Sequence, residues 1–309
     1  SDTATAIKAL PRGTNNRPAA GILTFMSPPN LFIIRLTKGS STPPVKQTVL
    51  TLISIYFCFI FTGCNTAPTL DSFAGRHNLI KGQLSAGGFR LKTLSRTGLS
   101  PHTELRIYID GDGQPWRGTQ PADNPTGRGS LVMELMLADP TPAIFLARPC
   151  YYLTEMPKHC SKDLWTSARY SEEVIEAMAE AVTQLHEKHA SDTLTLIGYS
   201  GGGVLAMLTA ARLEMPSTVF TIAANLDIAA WTDFHGLLPL TTSLNPAEQD
   251  FSNSSIVQRH LLAGRDNLVP PITIRRFRAN NPQAEYRLFE AFDHRCCWLE
   301  NWPEILSDY

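Results

Sequence analysis

Thr193-Leu-Thr-Leu-Ile-Gly-Tyr-Ser-Gly-Gly-Gly-Val-Leu-Ala-Met207 decides how this chain folds. Its first part, Thr193 to Ile197, is short, apolar and β-branched, the composition of a buried strand. Its last part, Val204 to Leu213, is rich in Ala and Leu with no breaker and predicts a helix. Between them Gly198, Tyr199, Ser200, Gly201 and Gly202 fit G-x-S-x-G. A strand that turns directly into a helix over one serine needs glycines on both sides, because Cβ atoms there would clash. Such a turn lifts the serine Oγ clear of the sheet. It also points the following N–H groups, and the positive end of the helix, at whatever the serine attacks.

The residues around this stretch extend the pattern. Leu79 to Leu94 alternates about Gly87-Gly88 and predicts an antiparallel hairpin. Glu104 to Asp110 predicts a strand that runs into the glycine-rich loop Gly111-Asp112-Gly113. A calcium-loop reading of Asp110-x-Asp112-Gly113 fails, because Pro115 and Pro121 stand where the turn glycine and the bidentate acid belong. Helices are predicted over Leu131 to Leu137, after Ser171 with an apolar stripe from Val174 to Leu185, and over Ile272 to Arg278. Ala143 to Ala147, Thr218 to Ala224, Ile256 to Ala263 and Ala284 to Phe292 are further strands, with a C-terminal helix after Trp298. Arg148 to Arg169 reads as a polar excursion, and Ile228 to Ser255 as a long irregular stretch on the pocket rim. Strands alternating with helices imply a doubly wound, mostly parallel sheet with helices on both faces. Right-handed crossovers then gather the loops at the strand C-terminal ends on one edge, where ligands bind. That edge holds Gly111, Asp112, Ser200, Asp227, Asp266 and His294.

A serine hydroxyl needs a base to become a nucleophile, and the base needs an acid to fix its tautomer. Among the histidines His294 is the best placed, with His235 second. Asp266 is the preferred acid, with Asp227 the alternative and Asp293 a neighbour that caps or supports. The order Ser, Asp, His, with acid and base each following a late strand, is that of one known fold. Tyr108-Ile-Asp-Gly-Asp-Gly113, Gly198-Tyr-Ser-Gly-Gly202, Gly264-Arg-Asp-Asn-Leu-Val-Pro270 and Asp293-His294 together resemble the α/β-hydrolases, and more closely exported bacterial members of that fold. The resemblance implies a serine hydrolase acting on a carboxylic ester, with Ser200 as nucleophile, Asp266 as acid and His294 as base. Gly201 would supply the first oxyanion N–H, and Gly111 or Asp112 the second. It implies a small-molecule acyl substrate and no metal or organic cofactor. Asp110-Gly111 stands where many relatives have His-Gly. A carboxylate near an oxyanion would repel it, so the Asp112 side chain is expected to point away while its N–H points in. Acyl transfer or peptide cleavage uses the same triad, and a non-catalytic envelope-anchored binding protein is the alternative outside enzymes. Trp116, Tyr199, Trp231 and Trp298 are candidates to shape the pocket.

Composition sets the outer bounds. With 309 residues, 18% of them charged and a net charge of −1, the chain lacks the basic excess of a nucleic-acid partner. The N-terminal region differs from the rest. Ser1 to Pro44 is rich in Pro, Thr, Asn and Gly, followed by Lys46 and an uncharged run from Val49 to Phe61. That run has 13 residues, too few for a membrane span of about 20 and within the roughly 7–15 of a signal-peptide core. Thr62-Gly63-Cys64 resembles the lipobox of bacterial lipoproteins, with Phe61 departing from the usual leucine. We read residues 1–63 as an over-extended N-terminus plus signal peptide, 64–78 as a tether and 79–309 as one domain. The expected product is a monomer of the bacterial cell envelope, held to the membrane by lipid on Cys64. Val45 would then be a GTG start read as valine. N-terminal sequencing of the native protein should find nothing before it, and recovery of residues 1–44 overturns the reading. With Cys58 removed and Cys64 acylated, Cys150, Cys160, Cys296 and Cys297 remain, an even number that suits disulfides in an exported protein. Cys150 and Cys160 are the favoured pair. Cys296 and Cys297 are neighbours about 3.8 Å apart, closer than ordinary disulfide geometry; a strained vicinal bond, free thiols and cross-pairing all stay open.

Overall fold

The computed structural model describes residues 69–96, 104–127, 129–252 and 255–309. The apolar run at 49–61, the start-site reading and Cys64 lie outside these residues. The elements in chain order are α1 (Leu70–Arg76), β1 (Ile80–Ala86), β2 (Phe89–Ser95), β3 (Glu104–Ile109), β4 (Trp116–Arg117), β5 (Gln120–Pro121), α2 (Leu131–Ala138), β6 (Ala143–Leu146), α3 (Glu172–His189), β7 (Thr193–Tyr199), α4 (Gly201–Ala210), β8 (Ser217–Ile222), α5 (Ile228–His235), β9 (Ile256–Ala263), α6 (Arg275–Asn280), β10 (Glu285–Phe289) and α7 (Trp298–Ser307).

Eight strands form one sheet in the order β1-β2-β6-β3-β7-β8-β9-β10. The hairpin β1–β2 is antiparallel and sits at one edge; β6 through β10 run parallel. The hairpin turn needs positive φ at both central residues, and Gly87 and Gly88 supply it at 55° and 79°. Side-chain alternation then divides the core. Leu194 and Leu196 of β7 face the layer built by Val174, Ile175, Met178 and Val182 of α3 and by Val204 and Leu205 of α4. Ile197 faces the opposite layer, with Leu135 and Met136 of α2 and Trp302 and Ile305 of α7. The fold is therefore α/β with helices on both faces.

Three stretches depart from the sequence reading. Ile228–His235, expected to be irregular, is the helix α5, because Asp227 caps it by accepting from the Ala230 N–H at 3.2 Å. Residues 70–76 of the stretch read as a tether form α1, whose Phe73 is buried against the core. The excursion 148–169 is not polar in place: Arg148, Tyr151, Trp165 and Arg169 are all buried. Ser171 precedes α3 as expected, yet its hydroxyl makes no capping bond.

Candidate active site

Sheet register builds the site. Ile109 of β3 lies opposite Gly198 of β7, so the chain leaves both strands at one level. Ala263 of β9 lies opposite Phe289 of β10, and the following residues stay paired, Gly264 N–H donating to Phe289 C=O at 2.9 Å and Arg265 N–H to Phe292 C=O at 2.9 Å. The loops carrying Asp112, Ser200, Asp266 and His294 thus emerge along one edge.

Ser200 occupies the turn between β7 and α4 with φ 53° and ψ −126°. A non-glycine residue held there costs roughly 1–3 kcal/mol. Its neighbours must be small for a steric reason. A Cβ on Gly198 would lie 2.2 Å from the Gly202 carbonyl oxygen, and one on Gly201 would lie 2.1 Å from Asp112 Oδ1. Ser200 N–H donates to the Ile222 carbonyl at 2.8 Å, which ties the turn to the end of β8.

His294 and Asp266 meet directly. His294 Nδ1 is 2.7 Å from Asp266 Oδ2, and the Asp266 side chain is wholly buried. The other carboxylate oxygen, Oδ1, accepts the N–H groups of Leu268 and Val269 at 2.8 and 2.7 Å. The Asp266 carboxylate is therefore fixed from both sides, and the imidazole keeps Nε2 for another partner. Tyr199 braces His294: its hydroxyl donates to the His294 carbonyl at 3.0 Å, and the two rings lie 5.0 Å apart.

Asp227 does different work. It is buried, it caps α5, and it accepts from Arg276 Nε and Nη2 at 2.7 and 2.6 Å and from Asn245 at 3.0 Å. Burial works against its charge, but the Arg276 bonds outweigh that and hold the carboxyl below its ordinary range. His235 sits on the exposed rim with Nε2 on the Leu268 carbonyl at 2.9 Å.

The loop after β3 departs from the sequence expectation at Gly111. Gly111 N–H, one of two candidates for the second oxyanion donor, donates instead to Asp110 Oδ1 at 2.9 Å. That leaves the N–H groups of Gly201 and Asp112 without a partner among the described residues. Asp112 C=O is held by Tyr151 Oη at 2.9 Å, which fixes the following peptide. The Asp112 carboxylate has not swung far off, as the close approach to Gly201 shows. It is neutralised where it stands. Arg148 Nη1 donates to Oδ1 at 2.5 Å, Arg169 Nη1 to Oδ2 at 2.9 Å, and Tyr170 Oη reaches both oxygens at 2.9 and 2.8 Å. Burial pushes this carboxyl up, but the Arg169 and Arg148 guanidiniums win and bring it from 3.8 down to about 2. One carboxylate between two guanidiniums leaves the cluster positive, so the expected repulsion of an oxyanion does not arise. Sequence reasoning missed Arg148, Arg169 and Tyr170. The signal available was two arginines flanking a cysteine-closed loop in an otherwise weakly charged chain.

A cavity of about 420 Å³ opens over these groups, lined by Asp112, Ser200 and His294 together with Tyr199, Trp231 and Leu268. Trp298 lies buried beneath it, donating to the His294 carbonyl at 3.2 Å, and Trp116 is solvent-exposed and outside the lining. Cys150 and Cys160 are bonded as expected, with Cα atoms 5.6 Å apart. Cys296 and Cys297 are bonded to each other, just after His294.

No protein-family model matches the chain, nor does any curated protein sequence. Solved structures do. The esterase Pf2001 of Pyrococcus furiosus is similar at 14% identity with a TM-score of 0.52, over 76% of this chain and 90% of that one. A lipase-esterase related protein of Clostridium acetobutylicum is similar at 14% identity and TM-score 0.49, over 71% and 97%. A lidless α/β serine hydrolase of Xanthomonas campestris is similar at 12% identity and TM-score 0.47, over 74% and 94%. With its parallel sheet, its strained serine turn and this likeness, the chain has the α/β-hydrolase fold.

Proposed function

We propose that this protein is a serine hydrolase that cleaves a carboxylic ester through an acyl-enzyme. The observation that carries the reading is the 2.7 Å contact between His294 Nδ1 and a fully buried Asp266 behind it, with His294 and the strained Ser200 lining one cavity. Ser200 Oγ attacks the ester carbonyl while His294 Nε2 takes its proton. The negative charge that develops on the carbonyl oxygen is met by the Gly201 N–H at the N-terminus of α4 and by the Asp112 N–H in the loop after β3. His294 then gives the proton to the alcohol oxygen, which leaves. Water, deprotonated by the same nitrogen, attacks the acyl-Ser200 and releases the acid. The fold-level likeness to an esterase agrees with this reading.

A fluorophosphonate probe is expected to label Ser200, and labelling that persists in Ser200→Ala overturns the assignment. The two aspartates give a second test. Asp266→Asn should lower kcat by about 10³-fold or more, since it frees the imidazole to take the wrong tautomer. Asp227→Asn should instead lower the urea midpoint and leave kcat within a few-fold. The reverse pattern would assign the acid to Asp227. Chromogenic esters of rising acyl length, run beside peptide substrates, separate ester from amide cleavage. For location we propose export to the cell envelope; the buried Cys150–Cys160 disulfide supports an oxidising compartment.

A further inference from the structure

The cavity wall carries two guanidiniums of different standing. Arg169 is committed: Nη1 donates to Asp112 at 2.9 Å and Nε to the Thr166 carbonyl at 2.7 Å. Arg295 lines the same cavity directly after His294, is solvent-exposed, and has no side-chain partner among the described residues. The backbone beneath it is fixed. Asp293 Oδ1 accepts the N–H groups of Arg295 and Cys296 at 2.8 and 2.6 Å, and the Cys296–Cys297 disulfide follows at once. The nearest carboxylate in sequence is thus engaged with main chain and not with the guanidinium.

The other acids of the wall do not cancel this charge. Asp112 is neutralised by Arg148 and Arg169. Asp110 is bonded by Tyr152 Oη at 2.6 Å, and burial pushes its carboxyl above the ordinary range. Arg295 does act on the site: burial raises the Tyr199 phenol, and the Arg295 charge opposes that rise. Trp231, Leu268 and Val269 make the contrasting apolar part of the lining.

We infer that Arg295 receives an anionic group on the alcohol part of the substrate, so that the preferred esters are those whose leaving alcohol carries a carboxylate. The inference rests on the acyl-enzyme reading above. His294 hands its proton to the alcohol oxygen, so the alcohol departs beside the base, next to residue 295 in the chain. An exposed guanidinium there offers paired N–H donors that match a carboxylate. An interaction at this degree of exposure is worth roughly two- to fivefold in kcat/KM.

Three aryl acetates test it: phenyl acetate, 3-acetoxybenzoate and 3-acetoxyphenyl-trimethylammonium, each rate divided by its hydroxide rate to remove leaving-group reactivity. The wild type should prefer the anion over the neutral ester by about two- to fivefold and disfavour the cation. The preference should shrink at about 1 M salt, where the screening length falls to about 3 Å. Arg295→Gln should collapse the anion-to-cation ratio towards unity, Arg295→Lys should keep most of it, and Arg295→Glu should invert it. A wild-type ratio near unity, or an unchanged ratio in Arg295→Gln, overturns the inference while ester hydrolysis stands. If a substituted protein fails to fold, the wild-type ratio and its salt dependence decide. Failure of the wild type to hydrolyse any of the three, with no fluorophosphonate labelling at Ser200, removes the acyl-enzyme reading and this inference with it.

Discussion

Ser200→Ala should lower kcat for an aryl ester by about 10⁵–10⁶-fold with little change in KM. The size follows from the task that the proposed mechanism shares among Ser200, His294 and Asp266. Without Oγ the imidazole has no hydroxyl to deprotonate, and the bond between His294 and Asp266 orients a base that serves nothing. His294→Ala should cost about as much, and the double variant little more than either, because the groups act as one unit. A residual rate of about 10³-fold over water should survive, since the Gly201 and Asp112 N–H groups are main chain and outlast both substitutions. Initial rates on titrated enzyme read this directly; a Ser200→Ala protein that kept even about one part in a hundred would exclude Ser200 as nucleophile. Stability should move the other way for one substitution. With φ 53° and ψ −126° the position suits glycine, so Ser200→Gly should raise the thermal midpoint by relieving about 1–3 kcal/mol of backbone strain while it abolishes turnover.

The parts of the fold that could be read in the chain were those fixed by local rules. The strand-turn-helix at 193–210 is legible because the Gly198 and Gly202 backbones touch, which only glycine permits; the helix expected to run to Leu213 ends at Ala210. Asp266 and His294 are legible because each follows a late strand, and parallel strands place their ends on one edge. What escaped was set by tertiary contact. Ile228–His235 carries no strong amphipathic stripe, and its cap is an aspartate that also answers Arg276 from beyond β9. The cluster about Asp112 draws on residues 36 to 58 positions away, a distance at which no periodicity links them. A run containing Arg148, Lys158, Lys162 and Arg169 looks solvated when read alone, and only the fold reveals that its two arginines are spent on a buried acid.

That cluster carries the second large effect. Asp112→Ala should destabilise the domain by about 3–5 kcal/mol, because Arg148 and Arg169 would be left as buried charges without a counter-ion. Removing one of the two orphaned charges relieves part of the damage: Asp112→Leu combined with Arg148→Met, which leaves only Arg169 without its counter-ion, should recover part of the loss, and a double-mutant cycle measures how much. The pH dependence has a definite sign. The Asp112 carboxyl is depressed in the fold, from 3.8 to about 2. Its contribution, about 2 kcal/mol by linkage, is therefore complete above about pH 4 and is lost as the pH falls through about 2. Urea midpoints of the wild type and Asp112→Asn should differ near neutrality and converge in that acid window; a gap that stayed constant to the lowest pH would mean the carboxylate is not what holds the guanidiniums. Activity should fall as well, by about 10²-fold, even where the substituted protein remains folded. The main-chain N–H at position 112 survives the substitution, but its direction is set by a loop whose anchor has gone, and an oxyanion donor counts only while it is aimed.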